Sequence, residues 1–194
     1  VDESAQTLTG MVFVVTGSLE HFENRNELKD LIEKKGGKVT GSVTSKTTCL
    51  INNDITSVEV PHEIEFESGD VLVIGMPVYG GRIPASTLQS IMNLKGNNTP
   101  AIISCVYGNR DYDDALLELA DLLSENGFQV ISAGAFIAQH SIFPKVGAQR
   151  PDADDYQQIN VFADESYKIL QKNREKLLPI HVPGNRPYKI PGSI

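Results

Sequence analysis

The residues best suited to chemistry are glycine-containing turns that directly follow apolar runs. Tyr79-Gly80-Gly81-Arg82 follows the run at 70–76, and Gly108-Asn109-Arg110, with Tyr112 just beyond it, follows the run at 101–107. Glycine lets the backbone come close to a planar ligand, and tyrosine can stack on one. Thr16-Gly17 closes a third run, at 11–15, as a strand-to-helix turn.

Other candidates are weaker. Residues 41–47 (GSVTSKT) approach a phosphate-binding loop, but Ser45 stands in place of the second glycine and the segment joins two strands. Asp152, Asp154 and Asp155 would suit a cation, yet acids at a helix start are favoured by the helix dipole alone. His21, His62, His140 and His181 are scattered without metal-ligand spacing. His140 follows a strand and is expected to be a hydrogen-bonded loop histidine. No metal site is expected.

The elements that must position these residues are legible from periodicity. Continuous apolar runs at 11–15, 70–76, 101–107 and 128–133 suit strands covered on both faces, with shorter strands at 38–43 and 47–51. Asn24 is a fair N-cap for a helix over 25–35 with Leu28, Leu31 and Ile32 on one face, and Gly36-Gly37 ends it. Pro84 opens a helix over 85–94. A third helix spans 111–125 with Leu116, Leu119, Ala120 and Leu123 in one stripe, and a fourth spans 152–177. Residues 52–69 are a connector, and 178–194 an extended surface tail. Strands alternating with helices predict an α/β fold: a three-layer parallel sheet of five to six strands with helices on both faces.

Composition narrows the function classes. The chain has 194 residues, Lys+Arg 17 against Asp+Glu 25, and a net charge of -8. That acidity makes nucleic acid an unlikely main partner, since phosphate binding is driven by Lys and Arg. No apolar run approaches the roughly 20 residues of a membrane span, and Val1–Gly10 carries no signal-peptide pattern. No membrane association is expected. Cys49 and Cys105 sit in apolar runs and read as buried thiols in a reducing, cytoplasmic compartment.

Residues 11–54 resemble the first half of the BRCT domain that closes bacterial NAD-dependent DNA ligases. The likeness rests on Val15-Thr16-Gly17, Arg25-Asn26-Glu27-Leu28, Gly36-Gly37-Lys38-Val39 and Ser42-Val43-Thr44. It implies a phosphate contact at Thr16 and Gly17. The basic second helix of that family does not follow Asp54, which leaves Lys46 as the nearest basic candidate. The segments IGMPVYGGRIPA, VYGNRDYDDALLEL and GNRPYKIPG, within about 63–188, resemble the flavodoxin-like part of anaerobe flavodoxin–ferredoxin fusion proteins. That likeness implies FMN between Tyr79, Gly80, Gly81, Arg82 on one side and Gly108, Asn109, Arg110, Tyr112 on the other.

Each resemblance lacks what the other supplies. The first strand of the flavodoxin-like part, with its phosphate loop, is missing, and the ligase-like part offers a longer turn bearing Glu20 and Glu23. FMN binding is therefore expected to be weak, and no resident cofactor is expected. The reading is a chimera joined near 55–60: a BRCT-like segment over 1–57, a flavodoxin-like segment over 58–177 and a tail over 178–194, in one domain. It is expected to be a folding scaffold, not an enzyme, with an FMN-binding electron carrier and a DNA- or phosphate-binding module as alternatives. The strand at 47–51 is expected to insert into the sheet, and an exposed edge strand makes a homodimer conceivable.

Overall fold

The computed structural model describes residues 6–16, 24–41, 49–52, 63–67, 69–172 and 177–190. Strand β1 (Val12–Thr16) leads into helix α1 (Arg25–Lys34), then strands β2 (Lys38–Thr40) and β3 (Cys49–Asn52). Asn24 caps α1 as expected, its side chain accepting from Asn26 N at 2.9 Å and Glu27 N at 3.2 Å. Gly36 takes the left-handed conformation that ends the helix, with φ +87. Leu28 and Ile32 pack against Phe13 with Leu8, Met11, Val15 and Val39. Leu31, expected in the same stripe, is 44% exposed. It sits about 60° around the helix from Leu28, at the margin of the apolar face.

The remaining strands are β4 (Ile64–Glu65), β5 (Leu72–Pro77), β6 (Leu94–Lys95), β7 (Thr99–Tyr107) and β8 (Phe128–Ile137). Between them lie a 3-10 turn (Ala85–Thr87) and helices α2 (Leu88–Met92) and α3 (Ala115–Glu125), with α4 (Ala153–Leu170) after β8. The expected helix over 85–94 is thus a 3-10 turn followed by a short α-helix, and Leu94 belongs to a strand. β4 and β6 pair in parallel through only two residues each, too few to show a period in the sequence.

All strand pairs are parallel, in the orders β2-β1-β3, β4-β6 and β5-β7-β8. The architecture is α/β. The expected insertion of β3 is half realised. It pairs with β1 on the side away from β2, and its Cα atoms come within 8 Å of β5. Among the described residues no backbone pair joins the two ladders, and the six longer strands form two ladders of three.

The β5-β7-β8 ladder carries helices on both faces. On one, Leu72, Ala101, Ile103, Cys105, Phe128 and Val130 pack against Leu116, Leu119, Ala120 and Leu123 of α3. On the other, Ile102 and Ile131 pack with Phe162, Ile169 and Leu170 of α4. The β7–β8 register slips between Ala101 and Ile102, so Ile131 is an extra residue. Such a bulge turns two successive residues to one face. Ile131 enters the α4 core, and Ser132 Oγ meets Ser166 Oγ of α4 at 2.6 Å.

Helix α4 stops at Leu170, short of the expected 177. Leu177 is instead buried in the α4 core, and the chain from there runs along the outer edge of β8. Gln129 Nε2 donates to Leu177 O at 2.5 Å, and Ile180 N donates to Val130 O at 3.1 Å. The extended surface tail covers an open strand edge and crosses onto α3, where Val182 is buried. At Gly184 (φ +150) an added Cβ would stand 2.7 Å from Leu117 Cβ. We expect Gly184→Ala to destabilise the fold by about 1–3 kcal/mol through overpacking and backbone strain, measured by urea denaturation.

Candidate functional site

The loops that follow β5, β7 and β8 share one end of the ladder, the end at which open α/β sheets place ligands. After β5, Tyr79 N donates to Arg82 O at 2.8 Å and Arg82 N to Tyr79 O at 3.1 Å. Gly80 and Gly81 both have positive φ (60 and 86), which this tight turn requires. An added Cβ on Gly81 would stand 2.7 Å from Asp113 Cβ, and Asp114 N donates to Gly81 O at 3.1 Å. The two expected flavin loops are thus packed on one another.

The loop after β7 is held in unusual backbone conformations, with φ 60 at Asn109 and 43 at Asp113. Asp113 N donates to Asp111 Oδ1 at 3.0 Å, and Arg110 pairs with the Asp113 carboxylate. The Tyr112 ring lies 5.5 Å from that of Tyr107, and burial pushes its hydroxyl pKa up. Gly108 lies against the His140 ring, 2.8 Å from where its Cβ would be to Cδ2. His140 Nδ1 accepts from Ile142 N at 3.1 Å and Phe143 N at 3.2 Å. It is the hydrogen-bonded loop histidine expected.

Arg82 does not point into this mouth. Its Nε and Nη2 donate to Glu118 at 2.7 and 2.5 Å, its Nη1 to Lys189 O at 3.1 Å, and its guanidinium lies 4.8 Å over the Tyr188 ring. The Glu118 side chain is 6% exposed and also accepts from Ile83 N at 3.2 Å. A buried carboxylate with a bidentate guanidinium and a backbone donor is fully partnered.

The rest of α3's outer acids hold the tail. Asp114 heads the helix, but its carboxylate makes no cap bond. It accepts from Asn185 N at 2.7 Å and Lys189 N at 2.6 Å. Burial raises its pKa, but these two backbone donors, with the Asn185 amide and the Arg82 charge, together outweigh that effect and leave it below the ordinary carboxylate value. Asp121 receives the Arg186 fork at 2.9 and 2.5 Å and the Tyr188 hydroxyl. Here too burial is outweighed, and the pKa is lowered. Lys189 Nζ reaches both Asp113 oxygens, at 3.1 and 3.0 Å. None of these acids was singled out in the sequence. A signal existed: Asp114, Glu118 and Asp121 fall at i, i+4 and i+7 on a helix whose neighbours are apolar.

Asp152 and Asp155 form a capping box at the start of α4, and Arg150 forks onto Asp155. That guanidinium holds the Asp155 carboxyl down to about 2. Among the described residues no cluster of His, Cys, Asp and Glu could hold a metal ion. Burial pushes the Cys105 thiol up to about 12. Thr16 closes β1, its side chain outside what is described, and Gly17, Lys46, His21 and His62 lie outside the described residues. No helix among the described residues is long and apolar enough to cross a membrane.

Comparison with known proteins divides the chain. Residues 4–67 match the family model of the BRCA1 C Terminus (BRCT) domain. A DNA ligase of Lachnoclostridium phytofermentans is 68% identical over 53 residues, 27% of this chain and 8% of the ligase. A DNA ligase of Ruminiclostridium cellulolyticum is 63% identical over 54 residues, 28% of this chain and 8% of the ligase. The matched segment thus spans less than a tenth of either relative. The family match runs past the expected boundary at 57, to the end of β4 and just beyond. Among solved structures, rubredoxin oxygen:oxidoreductase from the anaerobe Desulfovibrio gigas aligns over 88% of this chain and 39% of that one, with TM-score 0.41 and 15% identity.

Two predictions follow from the Arg82 and tail contacts. Arg82→Met strands the buried Glu118 carboxylate and should cost about 3 kcal/mol in denaturant unfolding. Replacing both residues with methionine should recover much of that loss. Tyr188 is pushed from the ordinary 10.0 to about 12 by burial and by its bond to Asp121. A raised pKa contributes stability that is complete below the unfolded value and lost as pH rises through the folded one. Thermal stability should therefore fall between about pH 10 and 12, and Tyr188→Phe should flatten that decline.

Proposed function

We propose that this chain is a hybrid α/β protein in which a BRCT-like segment, 1–57, lays its strands beside a flavodoxin-like body, 58–177, strapped by the tail at 178–194. In this reading it serves as a folding scaffold without an intact catalytic site, and it is not an enzyme. The carrying observation is the use made of the charged groups at the sheet mouth. Arg82, Asp113, Asp114 and Glu118 are all committed to each other and to the tail. A cytoplasmic, reducing setting suits the buried Cys105 thiol. A homodimer would form at β2, which lies at the edge of its ladder.

The FMN reading draws support from Tyr79, 44% exposed at the mouth, with the Gly80-Gly81 turn and the backbone of Gly108 and Asn109 nearby. These loops would face the FMN ring; the turn that would take its phosphate, after Thr16, lies outside the described residues. The charged side chains nearest these glycines include Asp111 and Asp113, and Arg110 is already paired with Asp113. The BRCT reading, a DNA- or phosphate-binding module, draws on the match over 4–67.

The test is to express residues 1–60 and 61–194 separately beside the full chain. The hybrid reading expects neither fragment to unfold cooperatively alone, because each would expose sheet surface that the whole covers. It also expects the full chain to leave the fluorescence of added FMN unquenched. Cooperative unfolding of the shorter fragment would show an autonomous module, and quenching would favour the electron-carrier reading.

A further inference from the structure

The tail is held differently at its two ends. Its first half is anchored by apolar burial and the strand edge, through Leu177, Val182 and the bonds to Gln129 and Val130. Its second half is held largely by charge, with Tyr188 packed against the core. Asn185 and Lys189 donate main-chain N–H groups to one carboxylate, Asp114, at 2.7 and 2.6 Å. Lys189 Nζ takes Asp113, Arg186 takes Asp121, and Lys189 O accepts from Arg82.

Asp121 apart, these partners belong to the two loops at the sheet mouth. Arg82 lies in the loop after β5, and Asp113 and Asp114 lie in the loop after β7. That second loop is strained, since Asn109 and Asp113 carry φ of 60 and 43. Non-glycine residues in this region carry backbone strain and persist only where neighbours hold them. Lys189 supplies two such holds at once, by its backbone N–H to Asp114 and its ammonium to Asp113. Its carbonyl oxygen fixes Arg82 in the other loop.

We propose that residues 185–190 are a latch: their docking on Asp113, Asp114 and Asp121 holds the loops after β5 and β7 in their packed arrangement, and their release frees both loops while the sheet stays folded. Apart from Tyr188, which packs against the core that also buries Val182, the latch is held by polar bonds, and these can open while Leu177 and Val182 stay buried. Partly exposed ion pairs are individually weak, and regions they hold open at low free energy. The mouth of the sheet is then gated by the chain's own C-terminal segment, whatever ligand the mouth admits. The inference does not depend on the hybrid origin of the chain.

The experiment is amide hydrogen exchange on the full chain and on two variants, Asp121→Asn and Lys189→Met. Asp121 is partly exposed, so its variant should fold even if a change at Asp114 would not. Each variant removes charge-assisted bonds, so exchange at 185–190, 79–83 and 108–114 should rise about tenfold, while 101–105 and 128–133 keep their rates. Faster exchange at 185–190 with both loops unchanged would overturn the latch. So would an equal rise in every segment, or no rise at 185–190 in either variant.

Discussion

A carboxylate buried on an apolar helix needs hydrogen-bond partners. Glu118 stands in that position, within the run Leu116-Leu117-Glu118-Leu119 of α3, and most of the arrangement at the sheet mouth follows from satisfying it. The Arg82 fork answers the charge, and the guanidinium must leave the mouth to do so. Once there it offers a face to Tyr188 and a donor to Lys189 O. The tail is thereby drawn across α3, and its basic residues meet Asp113, just before the helix, and Asp121, one turn beyond Glu118. One buried charge organises three segments that are far apart in sequence.

The same contacts explain why α3 lacks a side-chain cap. An aspartate at a helix start ordinarily accepts from its own helix's N–H groups. Asp114 instead accepts from the tail, and so links the helix to residues 185 and 189. The tail in turn solves a second problem, the exposed outer edge of β8. It places Ile180 N on Val130 O and buries Leu177 and Val182 on opposite faces of the ladder.

The relation between the ligase-like segment and the remainder is looser. Phe13 and Ile32 centre a small core of their own, and the larger cores lie around β7 and β8. β3 approaches β5 without a described ladder between them. Adjacency without pairing is compatible with parallel strands meeting where no shared register links them, since a ladder requires N–H and C=O groups to align along both strands.

Residue order alone determined the elements whose signals are local. β1, β7 and the α3 stripe were readable because burial on both faces, or on one helical face, imposes a period on neighbouring residues. Asn24, Gly36 and the acids opening α4 were readable because caps act within a few positions. Glycine turns at 80–81 and 108 also marked where β5 and β7 end. What Arg82 binds, where the tail lies and where β3 sits were decided only by the fold. Arg82 and Glu118 are 36 residues apart, and Asn185 and Asp114 are 71. No local pattern encodes such pairs; they are selected when packing removes water and leaves each buried charge only the partners that the fold brings to it.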